Sequence, residues 1–523
     1  MRDFHKPGRS AVFATNGMCA TSHPLAAKAA VSILESGGNA VDAAIAGAVL
    51  LGLCEPQMTG IGGDCFALIS KPGEDVVAVN GSGRAAAGMT AASLREAGHK
   101  TVPLGTPDAV TIPGAIDAFC HMSETWGKLG LADSLAPAIR YMDSGVPIAP
   151  RVAFDLQSGC ERLTGHGRTH FLLNGKTPQT GDIFALPGQA EVLRRIAKDG
   201  RDAFYTGEVA EDMVASLQAA GGSHTMDDFA AAKTTVAAPI SGTYKDRELL
   251  EHPPNGQGAT AILLLNILAQ FDLSSMDPFG TQRAHIEAEA TKLAYDTRNR
   301  FMSDFDYMTR LDHMTSMDTA RDLAALIDPN RAMKSATEIS EAVHKDTIYI
   351  TVVDKDRMAV SLIYSIFHSF GSGLASEKFG ILFHNRGAGF SLAEGHPNEM
   401  APGKRPMHTI IPGLLRGAGQ TMPFGVMGGQ YQANGHGRVV TNMVDYGMDP
   451  QSALDAPRSF AEGDTLSVER GYSDAVRQEL ADKGHNVIIP DTAIGGAQAI
   501  VIHDSGLLEG ASDPRKDGCA LGY

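Results

Sequence analysis

Thr347-Ile348-Tyr349-Ile350-Thr351-Val352-Val353-Asp354 is a β-branched run that opens directly after the charged stretch His344-Lys345-Asp346. Such a run reads as a strand. A second one, Met358 to Ser365, follows across Asp354-Lys355-Asp356-Arg357, so the two are expected to pair as a hairpin. A threonine at the mouth of a strand is unremarkable unless the chain is cut before it. Thr347 would then carry a hydroxyl nucleophile and a free α-amine to serve as its base. Phe370-Gly371-Ser372-Gly373 and Gly428-Gly429 add two small-residue turns to the same C-terminal third.

Outward from this hairpin, helices and strands interleave. Apolar residues recur at helical spacing from Pro24 to Leu34, and Gly37-Gly38 stop that helix. Asn39 caps a second one, Ala40 to Leu53, whose only charge is Asp42. A helix apolar nearly all round lies buried between layers. Phe66 to Ile69 and Val76 to Val79 read as paired strands across Pro72-Gly73. Helical patterns fill Ala115 to Met142, Ala190 to Leu217 (broken at Gly200 and Gly207), Leu263 to Phe271 and Ala284 to Arg298. Ser303 to Glu341 is polar and reads as a connector with at most one helix. Further strands are expected at Ile381 to His384, Thr409 to Leu414, Leu466 to Glu469 and Ala497 to His503. Helices at Gly437 to Tyr446 and Asp474 to Lys483 lie among them. This alternation predicts sheets covered by helices.

Composition narrows the function. The 523 residues are 43% hydrophobic and 20% charged, an ordinary globular balance. A net charge of −16 without a basic stripe argues against nucleic acid. Six irregularly spaced cysteines form neither a disulfide framework nor a zinc motif. Met1 to Pro7 does not resemble a secretory signal, and the longest apolar stretches, Ala43 to Cys54 and Ala259 to Leu268, are too short to span a bilayer. The expectation is a soluble cytoplasmic protein with no membrane partner.

Several motifs fall away. Gly60-Ile61-Gly62-Gly63 lacks the spacing of a phosphate loop and reads as a tight turn. His285 and Glu287 share a helix, but no H-E-x-x-H occurs, and the remaining histidines lack ligand spacing, so neither metal nor cofactor is expected. The absence of G-x-S-x-G argues against an α/β-hydrolase. Gly428-Gly429 reads as a turn, although two successive amides without side chains also suit an oxyanion. Arg84, flanked by glycine, reads as a surface arginine or a carboxylate clamp.

Gly37 to Ala44, Glu55 to Gly63, Thr347 to Gly373, Gly403-Lys404-Arg405-Pro406 and Met427-Gly428-Gly429 together resemble the γ-glutamyltranspeptidase family of N-terminal nucleophile hydrolases, over essentially the whole chain. The resemblance implies a four-layer αββα sandwich. It implies a proenzyme cut between Asp346 and Thr347 into intertwined fragments, 1–346 and 347–523. It assigns Thr347 as nucleophile, Ser365 as its orienting hydroxyl, Gly428 and Gly429 as oxyanion donors, and Arg84 as a grip on a substrate carboxylate. A homodimer, or a dimer of the two-fragment unit, is compatible with it.

This chain departs from members that take γ-glutamyl groups. Thr347-Ile348-Tyr349 stands for their Thr-Thr-His, Phe367 for an asparagine, and Gly389 for the aspartate that meets the substrate ammonium; His408-Thr409 replaces a serine pair. Burying an unpaired ammonium costs several kcal/mol. Gly389 cannot pair it and Arg386 repels it, so Arg386, His408 and Thr409 suit a carboxylate without a neighbouring ammonium. With His23-Pro24 and Gln432 to His436, the pattern is more similar to the oxamate amidohydrolase and acylase-like branch. The expected substrate is a small carboxylate-bearing amide. The alternatives are a γ-glutamyl hydrolase or transpeptidase using glutathione-like donors, a larger-acyl variant, and an uncut binding protein.

Overall fold

The computed structural model describes residues 8–333 and 347–523, so Asp346 lies outside the described residues. Two seven-stranded sheets stack face to face between helical layers. One runs in the order Val12–Ala14, Leu508–Ser512, Gly496–His503, Gln420–Met427, Gly413–Gly417, Arg247–Glu251, Ile240–Tyr244. The other runs Cys519–Gly522, Met18–Thr21, Ile348–Val353, Ala359–Ser365, Asp64–Ser70, Val77–Gly81, Thr235–Ala237. Each sheet takes strands from both sides of residues 334–346.

The hairpin expected after Thr347 is present, and its side chains alternate as a pleat requires. Ile348, Ile350 and Val352 join the core beneath the first helices, while Tyr349 joins Phe66, Ile363, Ile410 and Met427 between the sheets. Tyr349 reaches Ser361 with its hydroxyl (2.7 Å), and Ser361 donates to the Phe424 carbonyl of the facing sheet (3.2 Å). Gly425 makes room for that ring, since a Cβ there would lie 2.3 Å from it.

The helix Ala40–Cys54 is buried at every residue, as its all-round apolar pattern predicts. Asn39 and Asp42 close a capping box at its start, each side chain satisfying the other's backbone N–H. On the opposite flank, Gly258–Leu268 and Gln432–Val444 cover the first sheet through a core containing Leu263, Leu415, Phe424 and Val440. These layers, helix, sheet, sheet, helix, make the αββα sandwich. Among the described residues no helix is long and apolar enough to cross a membrane.

Three expectations change. Ile381 to His384 is not a strand; apart from one bridge between Leu382 and Ala375, its backbone covers Gly62, whose Cβ would meet the Leu382 carbonyl at 2.2 Å. The strand expected at Thr409 begins at Gly413, because Gln432 Oε1 accepts the Ile411 N–H (3.0 Å) and holds that stretch out of the ladder. Among its described residues the polar connector contains two α-helices, Leu311–Thr315 and Met317–Ala324, the second capped by Ser316, and a 3-10 turn at Phe305–Tyr307; its part beyond Met333 lies outside the described residues.

Candidate active site

The hairpin register sets the centre. Ile348 pairs with Tyr364, so one step further along the same register Thr347 faces Ser365, and Ser365 in turn pairs with Asp64 on the next strand. Thr347 is 2% exposed, and its Oγ1 lies 3.2 Å from Ser365 Oγ. Ser365 Oγ accepts the Phe367 N–H (2.9 Å) and a guanidinium N–H of Arg386 (3.4 Å). A hydroxyl has two lone pairs and one proton, and either hydroxyl of the Thr347–Ser365 pair can be the donor. Gly63 is backed onto this point: a Cβ there would lie 2.5 Å from the Ser365 carbonyl. Gly60 to Gly63 is thus a turn chosen for close approach.

Arg386 is fully buried. It also donates to Thr409 Oγ1 (3.1 Å), and its guanidinium lies 3.9 Å from the centre of the Phe367 ring. Phe367 holds a φ of 78°, a region costly for a side chain with a Cβ. Behind Arg386 stands Asp64, 3.7 Å from its Nε. Asp64 accepts from the Gly83 N–H (3.1 Å) and from His408 Nε2 (3.0 Å). His408 Nδ1 accepts the Ile410 N–H (3.4 Å), which fixes the ring proton on Nε2. His384 Nδ1 lies 3.5 Å from the same carboxylate, its Nε2 held by the Thr111 carbonyl (2.8 Å).

The charges follow from this packing. Burial resists charge on Asp64, but His384, His408 and Arg386 outweigh it and set its carboxyl at about 2. Burial lowers Arg386 to about 9, and Asp64 limits the fall, so it stays a cation at neutral pH. Burial, with Arg386 adding to it, pushes His408 down to about 3, leaving it a neutral donor.

Thr347 opens onto a cavity of about 320 Å³ whose wall includes Met427 and Gly428. Gly428 and Gly429 have φ of 116° and 56°, and a Cβ on Gly428 would sit 2.9 Å from Gly495 Cα. Glycine is therefore needed there on both counts. Gln257 fixes this turn by donating to the carbonyls of Thr409 (2.7 Å) and Gly429 (3.3 Å). Arg151, Lys516, Asp155, Glu462 and Asp491 also line the cavity. Arg151 and Lys516 both pair with Asp155, at 2.9 and 3.6 Å.

Thr347, Ser365, Arg386, Thr409 and His408 are thus brought together by side-chain contacts, and of these Thr347 shares the lining of the cavity with Gly428. Arg84 is not among them. It lines a separate cavity of about 310 Å³, donating to the Gly403 carbonyl (2.9 Å) and pairing with Asp304 (3.2 Å). Beside it the Gly83 backbone lies so close to Ile112 that a Cβ would overlap its carbonyl at 1.5 Å. Asp64 and His384 were not anticipated. The available signal was an acid at the head of an otherwise uncharged strand, Asp64-Cys65-Phe66-Ala67-Leu68-Ile69-Ser70.

Sheet stacking of this kind, with a buried threonine at a strand mouth beside a glycine pair, defines an N-terminal nucleophile amide hydrolase. Residues 26–523 match the family model described as Gamma-glutamyltranspeptidase, and the chain belongs to that family. It is 36% identical to the glutathione hydrolase-like YwrD proenzyme of Bacillus subtilis, covering 98% of this chain and 99% of the relative. It is 34% identical to the oxamate amidohydrolase proenzyme of Klebsiella pneumoniae, covering 97% and 99%. Among solved structures, a cephalosporin acylase from Bacillus halodurans superposes with a TM-score of 0.93 at 36% identity, covering 100% of this chain and 99% of that one.

Proposed function

We propose that this chain is a self-processing threonine amidohydrolase acting on small amides that carry a carboxylate, oxamate-like in size and charge. Thr347 Oγ1 attacks the carbonyl of Asp346, the C–N bond breaks to free the α-amine of Thr347 as the acyl group moves to oxygen, and water hydrolyses that ester to a carboxylate at Asp346 and the restored Thr347 hydroxyl. That amine, with a reference pKa of ~7.7–8.0, takes the hydroxyl proton as Thr347 attacks the substrate amide. Ser365 donates to the attacking oxygen, and the Gly428 and Gly429 amides receive the tetrahedral oxyanion. Ammonia leaves with the proton, and water then releases the acid from the acyl-enzyme. Strands from both fragments interleave in each sheet, so the cut leaves one body.

The observation that carries the substrate class is Arg386. It is a buried cation one hydroxyl away from Thr347, with the Thr409 hydroxyl beside it, while His408 spends its one N–H on Asp64. The nearest buried acid, Asp64, is already enclosed by Arg386, His408 and the Gly83 amide, so it is not offered to a substrate ammonium. Arg386 replaces Arg84 as the carboxylate grip. The oxamate amidohydrolase relative supports this reading. A glutathione-like donor is the second reading, favoured by Glu462 and Asp491 on the Thr347 cavity, which could meet an ammonium.

Intact mass of the purified protein is expected to show two fragments meeting at Asp346/Thr347. Thr347→Ala is expected to remain one chain and to lose at least about a thousandfold in activity. Ammonia release from oxamate, set against glutamate release from glutathione, separates the two substrate readings. A wild-type chain that stays whole yet hydrolyses either amide would remove the α-amine from the mechanism.

A further inference from the structure

On the far side of the first sheet, the helix Thr281–Phe301 carries His285 and Glu289 one turn apart on one face. The loop after the helix Asp474–Asp482 brings His485 against them. His285 Nδ1 lies 2.8 Å from His485 Nε2, and one ligand-capable atom from each of the three residues falls within 4.8 Å of the others. All three side chains are buried.

The hydrogen bonds orient these groups inward. His285 Nε2 lies 2.8 Å from the Asp328 carbonyl, which can only accept, so Nε2 holds the ring proton. Nδ1 is therefore the acceptor in the pair and takes the Nε2–H of His485. A histidine whose far nitrogen is anchored on a backbone carbonyl is the usual support of a metal-bound imidazole. The Glu289 oxygens accept from Lys292 Nζ (2.7 Å) and from the Met333 N–H (2.7 Å), and each keeps further acceptor capacity. Burial lowers the pKa of both histidines, which leaves both rings neutral and able to ligate.

We propose that His285, Glu289 and His485 form a binding site for one divalent cation of the zinc and cobalt type. Two imidazoles and a carboxylate suit such metals, whereas calcium and magnesium take oxygen ligands. Binding requires the proton of His485 to move from Nε2 to Nδ1 through solvent. It also requires a small parting of the rings: with metal–nitrogen bonds of ~2.0–2.1 Å in a tetrahedral site, the two nitrogens stand ~3.3 Å apart. A cavity of about 230 Å³, lined by His485, Asn486, Lys292 and Met333, gives a way in and room for a water as fourth ligand. Lys292 is the cation's competitor for Glu289. Because His285 holds Asp328 and Glu289 holds Met333, the site also grips the last described stretch before residue 334.

The test uses the full-length protein, stripped with a chelator and titrated with cobalt(II) and then zinc. The expected result is one cobalt per chain with the intense visible bands of a four-coordinate ion, displaced by zinc. Both signals should be lost in His485→Ala, and tightened several-fold in Lys292→Met, where the competing ammonium is gone. Zinc should raise the melting temperature of the wild type and leave that of His485→Ala unmoved. Circular dichroism of His485→Ala keeps a loss of binding distinct from a loss of fold. If the wild type shows only the weak bands of hydrated cobalt, or if the bands survive in His485→Ala, the three residues are a hydrogen-bonded cluster and the proposal fails.

Discussion

Glu55 and Asp64 stand at the two ends of the same turn, one closing the helix Ala40–Cys54 and the other opening the strand Asp64–Ser70. Both are buried, yet their carboxyls move in opposite directions. Burial raises Glu55 to about 7, opposed only by Lys516 and a hydrogen bond from the Ser22 hydroxyl. Asp64 carries the same penalty but has Arg386, two imidazoles and the Gly83 amide around it, and falls to about 2. Burial therefore does not fix the charge of an acid; the supply of donors does. The end rich in donors keeps a permanent negative charge that holds Arg386 beside Thr347. The poorer end is an acid poised to change protonation near neutrality, next to Lys516 on the wall of the Thr347 cavity.

The strongest challenge to this comparison is to strip Asp64 of its cation. Arg386→Met is expected to cost about 3–5 kcal/mol in denaturant unfolding, because it leaves a buried charge uncompensated. Activity should fall with it, and a second change, Asp64→Asn, should restore part of the stability. If the single variant is neutral, the two ends do not differ as described.

At the poorer end, Glu55 has its pKa raised from 4.5 to about 7. Its ionised form is penalised in the fold, so stability is highest below about 4.5, declines as pH rises and levels off above about 7. Glu55→Gln is expected to flatten that slope, gaining up to about 3 kcal/mol at pH 8 relative to pH 4. Denaturant midpoints across this range are the measurement.

Asp64 has the opposite sign. Its folded value of about 2 lies below the ordinary 3.8, so its contribution is complete above about pH 4 and is lost as pH falls towards 2. The stability gap between Thr347→Ala and Thr347→Ala/Asp64→Asn should shrink by about 2 kcal/mol across that window. A gap independent of pH would mean that Asp64 is not ionised in the fold.

The smallest effect sharpens the contrast from outside. Arg84 also pairs with an aspartate, but its side chain is 40% exposed. Arg84→Met is expected to cost under about 1 kcal/mol and to leave amide hydrolysis within about twofold. A large rise in KM would return the carboxylate grip to Arg84.

How much of this was legible in the sequence depends on distance along the chain. Local patterns spoke clearly: the Asn39 cap, the apolar helix behind it, and the hairpin that puts Thr347 opposite Ser365. Arg386, His408 and Thr409 could be named as site candidates, although their mutual geometry could not. Asp64 was missed because its partners come from His384, Arg386 and His408, more than 300 residues away, and no local pattern encodes such a meeting. Arg84 lies apart from the other candidates. Its glycine-flanked setting suggested an arm that could reach a substrate, whereas the side chain pairs with Asp304 and donates to the Gly403 carbonyl, partners that no local pattern encodes. Ile381 to His384 had the composition of a strand, but its backbone serves as a lid on Gly62.

The order of strands has one more consequence, and it concerns time. Val12 to Ala14 pairs with Leu508 to Gly510, and Met18 to Thr21 lies between the strand that follows Thr347 and Cys519 to Gly522. Residues 12–21 therefore wait for residues 508–522 before either sheet is complete. Contacts this remote form late, because the whole intervening chain must be brought round before they gain anything. A chain that reaches Thr347 but not residues 508–522 has the threonine without the finished frame around it.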